Sequence, residues 1–136
     1  MNEHDASFAP PVLLREFAAY LSSLPWIGNG IDWRTITHEA LPLDAELTDD
    51  DVASWTLRTR LGRYPLALVM AGPTRSGLTC GVCEAFRDID LLSWALGVPE
   101  IYVCGVRRRG ATLEPVYSDF VEQRFTGSYV LRARAS

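Results

Sequence analysis

Apolar positions along this chain change their period part way along. From residue 10 to 24 they recur at helical spacing, with Leu13, Phe17, Tyr20, Leu21 and Leu24 on one stripe. Pro10 and Pro11 suit a first helical turn, where a missing N–H leaves nothing unbonded. Pro25 stops the pattern and Gly28-Asn29-Gly30 makes a turn. The spacing therefore predicts a helix over 10–24. Residues 31–41 alternate weakly around Trp33, Thr35 and Thr37 and predict a short strand. Residues 42–53 read as a polar, acidic connection.

Beyond that point the period becomes two. Trp55, Leu57, Thr59 and Leu61 alternate with Thr56, Arg58 and Arg60, the pattern of a strand with one wet face. Residues 66–71 and 101–106 are apolar at consecutive positions, which predicts central strands covered on both sides. Further strands are predicted over 78–86, 112–117 and 129–133, the last as an edge. A short helix is predicted over 87–96, ended by Gly97. Short turns between strands imply antiparallel neighbours. The fold class is α+β: a mostly antiparallel sheet with the N-terminal helix and one short helix packed on it. The chain reads as a single domain, 1–136, with a frayed end over 1–8.

Composition fits that picture. Apolar residues make up 48%, charged residues 22%, and mean hydropathy is +0.03, enough for a packed core. The start of the chain lacks the basic end and apolar run of a signal peptide. The longest apolar run is too short to cross a bilayer, and three cysteines do not make a disulfide framework. The expected location is the cytoplasm, with no membrane partner. The lysine-free, arginine- and alanine-rich usage looks like that of a GC-rich bacterial genome.

Charge is divided unevenly. Residues 1–53 hold ten acids and two arginines, a balance of −8; residues 54–136 hold eleven arginines and seven acids, a balance of +4. Thr48-Asp49-Asp50-Asp51 has the spacing of a capping box, with Thr48 as N-cap and Asp51 as the N3 acid. Together with Asp44 and Glu46 the same residues form an acidic patch suited to a basic partner. Trp26 and Trp33 flank the glycine turn, either as core residues or as interface anchors. Arg58 with Arg60, Arg132 with Arg134, and Arg107-Arg108-Arg109 would lie along strands as a basic stripe. A net charge of −4 and a pI near 5.1 argue against nucleic acid as partner.

Catalytic motifs are weak. Cys80-Gly81-Val82-Cys83 has redox spacing, but the comparison with thioredoxins departs early, since no tryptophan precedes Cys80. On a strand the two thiols would point to opposite faces. Adding Cys104 and His38 leaves one ligand pair too few for a structural zinc site, so no metal and no cofactor is expected. Residues 72–79 have the glycine spacing of a phosphate loop, yet Leu78 stands where that loop needs lysine, and a hairpin turn is the simpler reading.

These features point away from an enzyme and toward a bacterial partner-binding protein. The first version is an immunity protein that neutralises a cognate toxin, with Asp44, Glu46, Asp49, Asp50, Asp51, Trp26 and Trp33 as partner-binding residues. The second is a secretion chaperone. The element order of helix, three strands, helix and two or three strands resembles the small acidic dimeric chaperones of type III secretion. That resemblance implies a homodimer and a secreted substrate as partner. No motif residue carries it, and the extra C-terminal strand departs from it. The third is a thiol enzyme using Cys80 and Cys83.

Overall fold

The apolar stripe of the N-terminal segment becomes α1 (Pro11–Ser22), with Leu14, Phe17 and Leu21 buried at i, i+3 and i+7. No side chain caps its start and Pro10 and Pro11 set the entry, so burial of that stripe is what holds it. The computed structural model describes residues 7–28, 30–42, 48–71, 77–82, 85, 100–124 and 130–134. Among these the fold is α+β, with an antiparallel sheet as its frame.

The strands are β1 (Ser7–Phe8), β4 (His38–Pro42), β5 (Leu66–Ala71), β6 (Gly77–Gly81), β7 (Glu100–Arg109), β8 (Thr112–Arg124) and β9 (Val130–Arg134). They run in the order β1-β6-β5-β7-β8-β9-β4, every neighbouring pair antiparallel. A separate small ribbon pairs β2 (Trp26–Ile27) with β3 (Gly30–Ile31). Gly28 between them has φ 61°, the left-handed conformation a tight ribbon needs.

Alternation along β5 and β7 divides the core in two. Leu68, Met70, Tyr102, Cys104 and Val106 meet α1, Ile31, Trp33 and Phe120 on one face. Ala67, Val69, Ile101 and Val103 meet Val52, Ala53, Leu61 and Tyr64 on the other. Both strands are thus covered on both sides, as their unbroken apolar runs require.

The structure differs from the sequence reading in five places. Ser7 and Phe8, expected within a frayed end over 1–8, pair instead with Thr79 and Leu78 of β6. Residues 55–61 are no strand: α2 (Asp49–Leu57) is followed by a 3₁₀ turn over Arg60–Arg63. Alternation misled because the buried face of this segment uses Val52, Ala53, Thr56 and Thr59. The two threonine hydroxyls are satisfied internally, by the carbonyls of Val52 and Thr56. Gly62 lets the turn fold back, since a Cβ there would stand inside the Leu57 carbonyl. The 31–41 segment splits into a 3₁₀ turn at Trp33–Thr35 and β4. The strand over 78–86 ends at Gly81 as β6. Finally, β8 runs seven residues past 117, to Arg124, and β4 lies outside β9, which is therefore no edge. The helix predicted over 87–96 lies outside the described residues; the short helix packed on the sheet is α2.

Candidate functional site

Asp49 opens α2, and Asp50 and Asp51 stand exposed on its first turn; Asp44 and Glu46 lie outside the described residues. The capping box forms as its spacing requires. Thr48 Oγ1 accepts from Asp51 N at 3.1 Å, and Asp51 Oδ2 accepts from Thr48 N at 3.0 Å. The backbone N–H of Thr48, and then its side chain, hold the Asp51 carboxyl below its ordinary pKa of 3.8. The helix exits at Arg58, its C-cap, with Arg63 exposed on the following turn. So α2 carries acids in its first turn, in the sense its own dipole favours, and Arg58 at its C-cap, while its last turn holds no base.

Trp26 and Trp33 part company. Trp26 is 41% exposed and its neighbour Ile27 58%. The indole is pinned, with Trp26 Nε1 donating to the Leu21 carbonyl at the end of α1 at 2.7 Å. Trp33 is no exposed anchor. It is 5% exposed, tilted against Phe120 with ring centroids 5.5 Å apart, and its Nε1 donates to Glu122 Oε1 at 3.1 Å. The ribbon joins the face that α1 covers, whereas α2 covers the other. The acidic residues and the tryptophan ribbon are therefore anchored to opposite faces of the sheet.

Two buried polar clusters were not anticipated. Pairing of β7 with β8 jumps from Cys104↔Phe120 to Gly105↔Val116, so residues 117–119 form a bulge on β8. Bulges re-aim side chains, and this one sends Tyr117 to α1 and Asp119 to the opposite face. There the Tyr64 hydroxyl donates to Asp119, and Arg60 Nε lies 2.7 Å from Asp119 Oδ1, off the line of a hydrogen bond. The Arg107 guanidinium sits 5.4 Å from the Tyr64 ring centre. Gly105 makes this possible, because a Cβ there would stand inside that ring. Burial, and then the bond to Asp119, hold the Tyr64 hydroxyl above its ordinary pKa of 10.0.

On the α1 face Glu122, 1% exposed, accepts from Trp33 and has Arg132 Nη1 at 3.8 Å. Gln123 beside it is buried on the other face with no hydrogen-bond partner among the described residues. Asp119, Glu122 and Gln123 fall where the pattern reads as loop. A strand carrying three buried polar groups gives no alternation to find.

The thiols divide as the faces do. Cys104 packs under α1, where burial and the nearby Asp119 charge push its pKa up strongly. Cys80 packs on the α2 side, and Cys83 lies outside the described residues. The segment 77–79 of the phosphate-loop spacing is strand, paired antiparallel to β5 as a hairpin arm. Arg58 and Arg60 share no strand face, since one caps a helix and the other opens a 3₁₀ turn. Among the described residues no three His, Cys, Asp or Glu side chains gather to hold a metal ion. No described helix is long and apolar enough to cross a membrane. The chain matches no protein-family description and no curated protein.

Proposed function

We propose that this chain is a non-enzymatic partner-binding protein, and that it acts as an immunity protein covering a cognate bacterial toxin. The observation that carries the reading is the Trp26–Ile27 ribbon. A tryptophan held by a hydrogen bond yet 41% exposed, beside an isoleucine 58% exposed, is an apolar anchor ordered before any partner arrives. Tryptophan dominates interface energetics, and preorganisation lowers the entropy lost on binding. The acids of α2, on the other face, are suited to a basic toxin surface and would mainly speed encounter. A thiol enzyme is a weaker reading, because Cys80 and Cys104 are buried and the Cys104 thiol is held protonated.

Co-purification with the product of the neighbouring gene, followed by mass determination, tests the reading. A tight complex with a folded toxic domain, weakened about tenfold or more by Trp26→Ala, supports it. Binding of an unfolded secreted segment would replace it with the chaperone reading. Fast, selective alkylation of Cys80 in the native protein would replace it with the thiol-enzyme reading; slow labelling of both Cys80 and Cys104 is expected.

A further inference from the structure

The two ends of the main sheet are finished differently. At one end β1 pairs only Ser7 and Phe8 with β6, so that edge is very short. At the other end β4 pairs with β9 through all five of its residues, from His38↔Arg134 to Pro42↔Val130, with no shift of register. Among the described residues no strand lies beyond β4. The side chains of β4 leave its outer edge open. His38 is turned onto Trp33, with ring centroids 5.2 Å apart and Nδ1 2.8 Å from the Ile36 carbonyl, and Leu41 packs on the core of the α2 face. Glu39, Ala40 and Pro42 are exposed. Lysines and bulges commonly guard such an edge; β4 has neither, only a proline at its last position.

We propose that β4 pairs with the β4 of a second copy of the chain, antiparallel about a two-fold axis through Ala40. Pro42 has no N–H to give to the β9 ladder, so its nitrogen takes the outward position that a sheet tolerates for proline. Backbone groups alternate in direction along a paired strand. His38 and Ala40 therefore direct their N–H and C=O groups outward too, while Glu39 and Leu41 bond to β9. Such an edge is complementary to itself. The two Ala40 residues exchange a reciprocal pair of hydrogen bonds across the axis, and His38 N–H of each copy meets the Pro42 carbonyl of the other. Every outward N–H of both copies is then bonded, and no other antiparallel register of two such strands pairs all their residues. Ala40, the smallest side chain of the strand, stands at the axis. Glu39 comes opposite Leu41 of the other copy, so the two carboxylates do not face each other. A two-fold contact uses the same patch on both subunits, and this register supplies it. A five-residue edge makes a small interface, so the dimer is weak and forms at high protein concentration.

The inference does not rest on the toxin reading, and its test uses this chain alone. Sedimentation equilibrium, from micromolar to millimolar protein, is compared for wild type, Ala40→Pro and Ala40→Lys, each first checked for folding by circular dichroism. Wild type is expected to dimerise. Ala40→Pro removes both donors at the axis without touching the β9 ladder, and Ala40→Lys sets two ammonium groups against each other there. Each should weaken the dimer about tenfold or more. If the proline variant does not fold, Ala40→Lys carries the comparison. Amide hydrogen exchange on wild type gives a second reading. His38 and Ala40 should be protected only at concentrations where the dimer forms, and Glu39 and Leu41 at all concentrations. A wild type that stays monomeric overturns the proposal. So does a dimer indifferent to a folded Ala40 variant, or protection of His38 and Ala40 that does not change with concentration.

Discussion

The two described α-helices of this protein are held by opposite means. Twelve-residue α1 has no side-chain cap, no acid in its first turn and no base in its last. Its stability is the burial of Leu14, Phe17 and Leu21 against the sheet, with Phe17 also stacked on Tyr117 at 5.5 Å between centroids. Nine-residue α2 buries smaller side chains, Val52, Ala53 and Thr56, with Trp55 packed partly buried beside them, and is closed at its start by a full capping box. A helix secured by packing has its face committed to the core. One secured by smaller buried side chains together with a closed end keeps one side exposed, and in α2 that side includes Ser54, Leu57 and Arg58.

The comparison is broken most easily at α1. Phe17→Ala should cost about 3–5 kcal/mol, read as a fall in the urea midpoint, because a fully buried aromatic leaves a cavity its neighbours cannot fill. A loss below that of the α2 variants would mean that α1 is not the packing helix described.

Next in size is the polar cluster on the α2 face. Asp119→Ala leaves the Tyr64 hydroxyl without its acceptor and should cost about 1–3 kcal/mol, since Arg60 can turn to solvent. The same cluster sets an alkaline limit. The folded state keeps the Tyr64 proton at pH values where the unfolded chain has lost it. Its contribution is therefore complete below about pH 10 and declines as pH rises toward the folded value. Tyr117, raised by burial and then by its bond to Glu16, acts in the same sense on the α1 face. Tyr64→Phe should flatten part of the alkaline fall in stability, measured by denaturation at stepped pH.

A smaller effect is expected at the cap. Thr48→Ala should cost about 1 kcal/mol by the same denaturation measurement. Because the Asp51 pKa is lowered on folding, its share of the box is present above pH 3.8 and is lost as pH falls through the folded value. Helical signal from α2 should therefore fray in acid before that of α1, which depends on no carboxylate cap; hydrogen exchange resolved by segment reads this directly.

What was legible in the sequence follows the same division. The α1 stripe, the Thr48 box and the double-sided strands β5 and β7 could be read because local pattern and tertiary burial agree there. The body of α2 could not. Its inward positions include Thr56 and Thr59, whose hydroxyls bond within the segment, while Leu57 points outward, so the pattern showed a strand's alternation. The C-terminal half of β8 was hidden for a related reason, its buried Asp119, Glu122 and Gln123 resembling a loop. Of the partner-binding residues, Trp33 fits both readings, core and anchor, because a tryptophan beside a turn looks alike whether its N–H meets water or Glu122; its burial makes it core. The division of the acidic helix and the Trp26 ribbon between two faces could come only from the sheet order.

The most direct test of this account is the stability of Ser54→Arg, set beside that of Phe17→Ala. Arginine is at least as good a helix former as serine, and residue 54 is exposed, so the denaturation midpoint of the monomer should stay within about 0.5 kcal/mol of wild type. A loss for Ser54→Arg as large as that for Phe17→Ala would contradict the claim that α2 keeps one side exposed.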